Sequence, residues 1–204
     1  MKHKDVIGIV PAQYKGQEIE VDAIQDLKAD SEALRLYDIA RKKLLNVNNW
    51  SKVAGGITAE FQIVDKDGEE VDREVQQGDY LRIDIPGPGT KEGDGFDWVL
   101  VEEIREIHQP PVHSVGFRVR PTENPFGQKK ETAHFYAKEA TSSFIIFCEK
   151  AKIIAWIIDR NLIPNTEQAS LADKIRDVTV GAGAIAGFSK VQWQGLADGL
   201  VKVS

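Results

Sequence analysis

Apolar and polar residues alternate along this chain, and the period of the alternation changes twice. Residues 31–50 carry apolar side chains at spacings near three, four and seven, which is typical of one face of an α-helix. Residues 56–158 contain segments of period two, which predict strands of a sheet with one wet side. Residues 170–201 return to helical spacing. Because a sheet must bury its apolar face, this closing helix is its largest available cover.

The predicted strands are bounded by turn residues such as Asp67–Gly68, a hairpin signal. The fold class expected is α+β, with a curved antiparallel sheet of about six or seven strands gripping a long C-terminal helix, and an early helix after the first strand. The strands are expected over Glu18–Ile24, Thr58–Val64, Val71–Val75, Tyr80–Ile85, Phe96–Ile107, Val112–Arg120, Phe144–Cys148 and Lys152–Ile158. Residues 132–140 are ambiguous between strand and short helix.

The two helices carry their own signals. Asp30 or Ser31 offers an N-cap oxygen to the early helix, and the asparagines from Asn46 onward favour its end. The closing helix contains the unusual run Gly181–Gly187, where each glycine costs roughly 1 kcal/mol of helix stability relative to alanine. Close packing against the sheet, space for a ligand, or a break in the helix would each account for this run.

The chain length of 204 residues fits one domain, which we place at 18–204, with 1–17 as an N-terminal tail or edge segment. The net charge of −6, without a basic stripe, argues against nucleic acid as a partner. No apolar run is long enough for an integral membrane segment. The single cysteine, Cys148, predicts a packed thiol in a reducing compartment, so a cytoplasmic protein is expected. The oligomeric state is not indicated.

Candidate chemistry is sparse. His108 and His113 flank a probable turn at Pro110–Pro111, but two exposed loop histidines are the favoured interpretation over a zinc site. Neither a metal nor a cofactor is therefore predicted. On the long strand, alternation puts Glu102 on the opposite face from Asp97 and Glu103, so one side of the strand points a carboxylate inward. An inward carboxylate could act as a general acid or base, which makes Glu102 a weak catalytic candidate.

The order of strand, helix, multi-stranded antiparallel sheet and long C-terminal helix resembles the helix-grip superfamily, also called the START or polyketide-cyclase-like (SRPBCC) group. The segment Leu44–Trp50 is similar to one that these proteins place after the first strand, often ending in a tryptophan. The resemblance covers about residues 18–201, and the long 121–141 stretch departs from it. It implies an apolar pocket between sheet and C-terminal helix. Members bind lipids, sterols, polyketides or other hydrophobic molecules, and some catalyse cyclisation or hydrolysis.

Three functions stay open at this stage. The first is a binding or carrier protein for a hydrophobic small molecule or lipid. The second is a cyclase- or hydrolase-type enzyme acting in the same cavity, with Glu102 or a loop histidine as acid or base. The third is an interaction module whose core is filled by Trp and Phe side chains. The pocket candidates are Phe61, Ile83, Trp98, Leu100, Phe117, Ile185 and Phe188.

Overall fold

A computed structural model describes residues 5–55, 59–85, 93–128, 131–165 and 178–203, with the backbone alone for 178–186. The described strands are β1 (Gln17–Asp26), β2 (Glu60–Val64), β3 (Tyr80–Asp84), β4 (Asp97–Gln109), β5 (Val112–Pro121), β6 (Thr141–Glu149) and β7 (Lys152–Leu162). The described helices are α1 (Asp30–Leu45), a 3₁₀ turn (Val47–Asn49), α2 (Trp50–Val53) and α3 (Val178–Leu200).

The seven strands form one antiparallel sheet in the order β1-β7-β6-β5-β4-β3-β2. This confirms the predicted fold class. The alternation on β5 also holds, because Val115, Phe117 and Val119 all lie in the main core on the face toward the helices. We call this the inner face and the opposite one the outer face. The prediction of a strand over Val71–Val75 is wrong. After the turn that follows β2, the chain pairs back with β2 only through an isolated bridge between Val64 and Glu70.

The early helix ends where the asparagines from Asn46 onward predict its end. It ends at Leu45, and the chain passes through the 3₁₀ turn before α2 carries Trp50 into the core. Neither Asp30 nor Ser31 caps it, because the N-cap is Ala29, which makes no side-chain capping bond. Its core-facing stripe consists of Ala33, Leu36, Tyr37, Ala40, Leu44 and Leu45.

Helix α3 packs along β1 and β7 and is continuous through Gly181–Gly187, so the break considered for this run is not observed. The rest of the predicted helix, 170–177, lies outside the described residues. Close packing occurs nearer the C-terminus of the helix. A Cβ atom on Gly195 would lie 3.0 Å from the carbonyl oxygen of Ala54, and a Cβ atom on Gly199 would overlap the carbonyl oxygen of Val53. A Cβ on Gly187 would meet nothing within 4 Å. Glycines thus bring the C-terminal end of α3 onto α2.

The outer face is covered by the N-terminal residues 5–12. Ile7 and Ile9 are buried in a second apolar cluster with Ile145, Ile154, Trp156 and Ile158. The guanidinium of Arg105 donates to the Ile7 carbonyl at 2.8 Å, and that of Arg118 to the Ile9 carbonyl at 2.9 Å. These bonds satisfy carbonyls that a strand would otherwise pair.

The described residues between β5 and β6, 122–128 and 131–140, close one end of the sheet without forming a regular strand or helix. Two isolated bridges, Glu123 with Thr132 and Tyr136 with Pro164, fix the segment. It therefore places the side chains of 134–136 beside the start of β4 and the end of β7. We call this region, which contains His134, Tyr136 and Asp159, the polar end of the grip.

Candidate functional site

Aromatic side chains fill the centre of the inner face. The ring of Trp50 lies 4.7 Å from Phe144, 5.2 Å from Phe61 and 5.8 Å from Phe117, measured between centroids. Trp193 of α3 closes the group at 5.1 Å from Phe144. A ligand chamber in this part of the grip would require these rings to move.

The structure brings some of the predicted pocket residues together and separates others. Phe61, Ile83 and Phe117 share the main core on the inner face. Trp98 lies in a third cluster with Val64 and Ala133, on the outer face. Leu100 shares that face, because the flanking Val99 and Val101 point into the main core. Phe188 is 36% exposed, and the side chain of Ile185 lies outside the described part of the chain.

Glu102 also lies on the outer face. A bulge between Val101 and Glu103 interrupts the pairing of β4 with β5, so both glutamates point the same way. The Glu102 carboxylate accepts from Arg118 Nε at 2.7 Å and Arg120 Nε at 2.5 Å. Partial burial alone would raise its pKa, but these two arginines outweigh burial and lower it. Glu102 is therefore an ionised member of a structural network.

A different carboxylate is buried on the inner face. Asp159 continues the inward-facing row of Ile153, Ala155 and Ile157 on β7 and is 2% exposed. Its Oδ2 accepts from Trp193 Nε1 at 2.8 Å. Burial raises the pKa of Asp159 to about 6, although Ser142 and Trp193 oppose the shift.

The second oxygen of Asp159 has no good partner. Ser142 is opposite Asp159 in the β6–β7 register and is close enough to favour the ionised form. No hydrogen bond of ordinary length and angle reaches Oδ1 from the described residues, however. A buried carboxylate oxygen without a donor is costly, and it is available to a ligand that brings one.

Tyr136 and His134 complete the polar end. Burial raises the pKa of Tyr136 to about 12, with the Asp159 charge as the next contribution, while Ser189 of α3 opposes it. His134 Nδ1 accepts from the Tyr136 backbone N–H at 3.0 Å, and burial lowers the pKa of His134 to about 3. Its Nε2 lies 3.9 Å from Asp97 Oδ2. This end of the grip thus holds a neutral imidazole and a neutral phenol.

An apolar cleft opens beside this cluster. It has a volume of about 380 Å³, and Tyr136 belongs to both the cleft and the polar cluster. The volume falls within the range of roughly 300–1,000 Å³ that small-molecule sites occupy. The residues lining it are Gly16, Gln17, Tyr136, Leu162, Ile163 and Pro164.

Sequence reasoning missed Asp159 because the predicted strand stopped at Ile158. Carrying the period of two one step further would have placed this acid on the inner face. No sequence signal pointed to Tyr136, which lies in the irregular 121–141 segment. Among the described residues, no three His, Cys, Asp or Glu side chains group in a way that could hold a metal. None of the described helices is long and apolar enough to cross a membrane.

In the described part of the chain, β1 is followed by the early helices, six further strands and α3. The chain has a helix-grip fold. This confirms the predicted fold. The sequence itself matches no protein-family model and no curated protein.

Solved structures with a similar fold are distant in sequence. A hypothetical protein from Helicobacter pylori is 11% identical over 90% of this chain and 87% of its own, with a TM-score of 0.49. A truncated norcoclaurine synthase from Thalictrum flavum is 10% identical over 90% and 96%, with a TM-score of 0.33. The di-domain ARO/CYC protein BexL is 12% identical over 92% and 51%, with a TM-score of 0.38. These likenesses concern the fold, and the ligand must be argued from the site.

Proposed function

We propose that the protein binds a hydrophobic small molecule or lipid at the polar end of the grip, rather than in the centre that the resemblance implies. The observation that carries this proposal is Tyr136, which lines an apolar cleft of about 380 Å³ and whose pKa is raised in part by the charge of Asp159, a buried carboxylate with an oxygen that lacks a donor. The apolar body of the ligand would occupy the cleft. A hydroxyl or N–H group on it would donate to Asp159 Oδ1.

The cleft and the acid have complementary roles in this arrangement. Leu162 and Ile163 offer apolar surface, which gives affinity without direction. Asp159 offers a directed acceptor in a desolvated place, which gives selectivity for ligands that carry a donor. The class that fits is a molecule with an apolar skeleton and one hydrogen-bond donor.

Native mass spectrometry of freshly expressed protein tests the proposal first, because a co-purifying apolar molecule should appear as an added mass. Binding of a fluorescent apolar probe, anilinonaphthalene sulfonate, then tests whether the ligand site is the cleft. Ile163→Trp should abolish probe binding by filling the cleft. Leu100→Trp adds the same bulk on the outer face and is the matched control. Equal probe binding by both variants and the parent would locate the site elsewhere.

An enzyme is the second candidate function, and the shifted pKa of Asp159 favours it specifically. A carboxyl group with a pKa of about 6 can exchange a proton near neutral pH, as a cyclase- or hydrolase-type acid or base must. The two functions separate on Asp159→Asn. A carrier with this substitution would lose selectivity for donor-bearing ligands, whereas an enzyme would keep binding its substrate and lose turnover by roughly 100-fold or more.

A further inference from the structure

The β4–β5 hairpin brings two histidines into contact at the end of the sheet opposite Asp159. His108 and His113 are direct partners in the strand register, and their Nδ1 atoms lie 3.4 Å apart. The sequence favoured two exposed loop histidines over a zinc site, whereas the structure places both histidines on paired strands. The His108 side chain is 55% exposed, so the pair is open to solvent.

A carboxylate fixes the orientation of one ring. Glu106 Oε1 lies 2.8 Å from His108 Nε2, and Glu106 is itself held by Arg41 Nε at 2.6 Å and Nη2 at 3.2 Å. In the neutral imidazole, an Nε2–H that donates to Glu106 leaves the lone pair on Nδ1. That lone pair lies on the side of His113.

The remaining neighbours restrict the rings further. The buried ring of Tyr37 lies 6.2 Å from His108 and 5.7 Å from His113, measured between centroids. The charge of Arg41 is matched by Glu106 and by Glu74, which lies 3.2 Å away. The nearest cation that contacts Glu106, Arg41, is thus paired with two carboxylates.

The separation of the two nitrogens has a chemical meaning. Two imidazole nitrogens at about 2.0–2.1 Å from a tetrahedral zinc ion lie roughly 3.3–3.4 Å from each other. A histidine ligand whose far nitrogen donates to a carboxylate is also the usual arrangement around zinc. We propose that His108 and His113 bind one Zn²⁺ ion through their Nδ1 atoms, with Glu106 as the positioning residue of His108.

The site is an open one. Cys148 is next to His113 in the β5–β6 register, but its thiol is buried, and no group of three potential ligands forms among the described residues. The protein thus supplies two ligands, and water or an exogenous donor fills the other two positions. Each ligand must offer its Nδ1 lone pair to the ion, so in the zinc-bound state His113 carries its proton on Nε2.

Zinc titration of the full chain by isothermal calorimetry tests this proposal. One ion per chain is expected, with affinity about tenfold or more weaker in His108→Gln and His113→Gln. Glu106→Gln should weaken binding roughly 10- to 100-fold while leaving both ligands in place.

Nitrogen NMR of the imidazole rings in the unsubstituted protein provides the second readout. Zinc should shift the Nδ1 resonances of His108 and His113 and leave the resonances of His134 unchanged. Absence of zinc binding by the parent would overturn the proposal, as would zinc affinity that neither substitution in the pair reduces. The NMR result decides the case even where a variant folds poorly.

Discussion

The two faces of the same sheet each carry a carboxylate, and the pKa values of these two groups are shifted in opposite directions. On the outer face, Glu102 lies between two arginines, and its pKa is lowered. On the inner face, Asp159 has only the Trp193 N–H as an ordinary hydrogen-bond donor among the described residues, and burial raises its pKa to about 6. The first acid is stabilised in its charged form, whereas the second is held in a place that disfavours charge. Chemistry and ligand selectivity are therefore expected from the second.

The difference between the two pKa shifts follows from the segment that covers each face. The outer face is closed by residues 5–12, whose carbonyls need the guanidinium groups of Arg105 and Arg118. Glu102 and Glu103 neutralise those arginines, so the outer network holds the N-terminal segment in place. The inner face is closed by α3, which offers Asp159 one indole N–H and no cation among the described residues.

The largest expected effect comes from neutralising the inner acid. Asp159 has an ordinary pKa of 3.8 and a folded-state pKa of about 6, so the unfolded protein binds fewer protons between these values. Stability is then lost as the pH rises through this window, by about 3 kcal/mol for this group. Asp159→Asn removes the loss because the amide does not ionise, and the amide oxygen can still accept from Trp193.

Urea unfolding at pH 4 and pH 8 measures this effect. The variant should be more stable than the parent by about 2–3 kcal/mol at pH 8 and close to it at pH 4. Other groups titrate in both proteins, so the difference between the two is the quantity to compare. An unchanged pH dependence in the variant would mean that Asp159 is solvated.

The next effect comes from removing the donor on α3. Trp193→Phe deletes the N–H that bonds Asp159 Oδ2, so the ionised form loses its partner and the pKa of Asp159 should rise further. The loss of this bond and of ring volume should cost about 2 kcal/mol, and more at pH 8 than at pH 4. Carboxyl NMR titration reports the pKa directly.

Trp50→Phe is the matched control for that experiment. Trp50 occupies the same aromatic group, but its Nε1 donates to the Leu44 carbonyl at 3.0 Å instead of to an acid. It should lose comparable stability without moving the pKa of Asp159. A shift of equal size in both variants would mean that general loosening of the core, not the lost bond, sets the pKa.

The outer acid should respond with the opposite sign. Glu102→Gln leaves Arg118 and Arg120 without their shared carboxylate and should cost about 1 kcal/mol at pH 7, less in high salt. Because its folded-state pKa is lowered, the stability that Glu102 contributes is present at neutral pH. It is lost as the pH falls through that pKa. Salt-dependent urea unfolding distinguishes this outcome from that of Asp159→Asn.

Sequence periodicity predicted the sheet, the early helix and the closing helix well, because each needs a continuous apolar face. It failed where the period is interrupted. The bulge between Val101 and Glu103 places Glu102 and Glu103 on the same face of the sheet. The neighbouring sequence contains no signal for the additional residue that a bulge inserts into a strand. The pairing of His108 with His113 needed the hairpin register, which spacing leaves open.

The site was harder to predict than the fold for a related reason. Tyr136 reaches the inner face through an irregular segment fixed by isolated bridges, so no period places it. Asp159 was within reach of the pattern, but an acid after an isoleucine-rich run is usually taken as the end of a strand. The predicted pocket residues Phe61, Ile83 and Phe117 were expected to point inward from their hydrophobicity, which identifies core positions but does not show whether the core contains a cavity.

The smallest expected effect compares two neighbouring serines on opposite faces. Ser142 lies beside Asp159 and lowers its pKa, whereas the Ser143 hydroxyl is buried without a hydrogen-bond partner in the described structure. Ser142→Ala should raise the pKa of Asp159 and cost less than about 1 kcal/mol at pH 8. Ser143→Ala should cost nothing, because it deletes an unsatisfied hydroxyl. Carboxyl NMR titration of both variants would sharpen the comparison of the faces, and a shift of the Asp159 pKa by Ser143→Ala alone would break it.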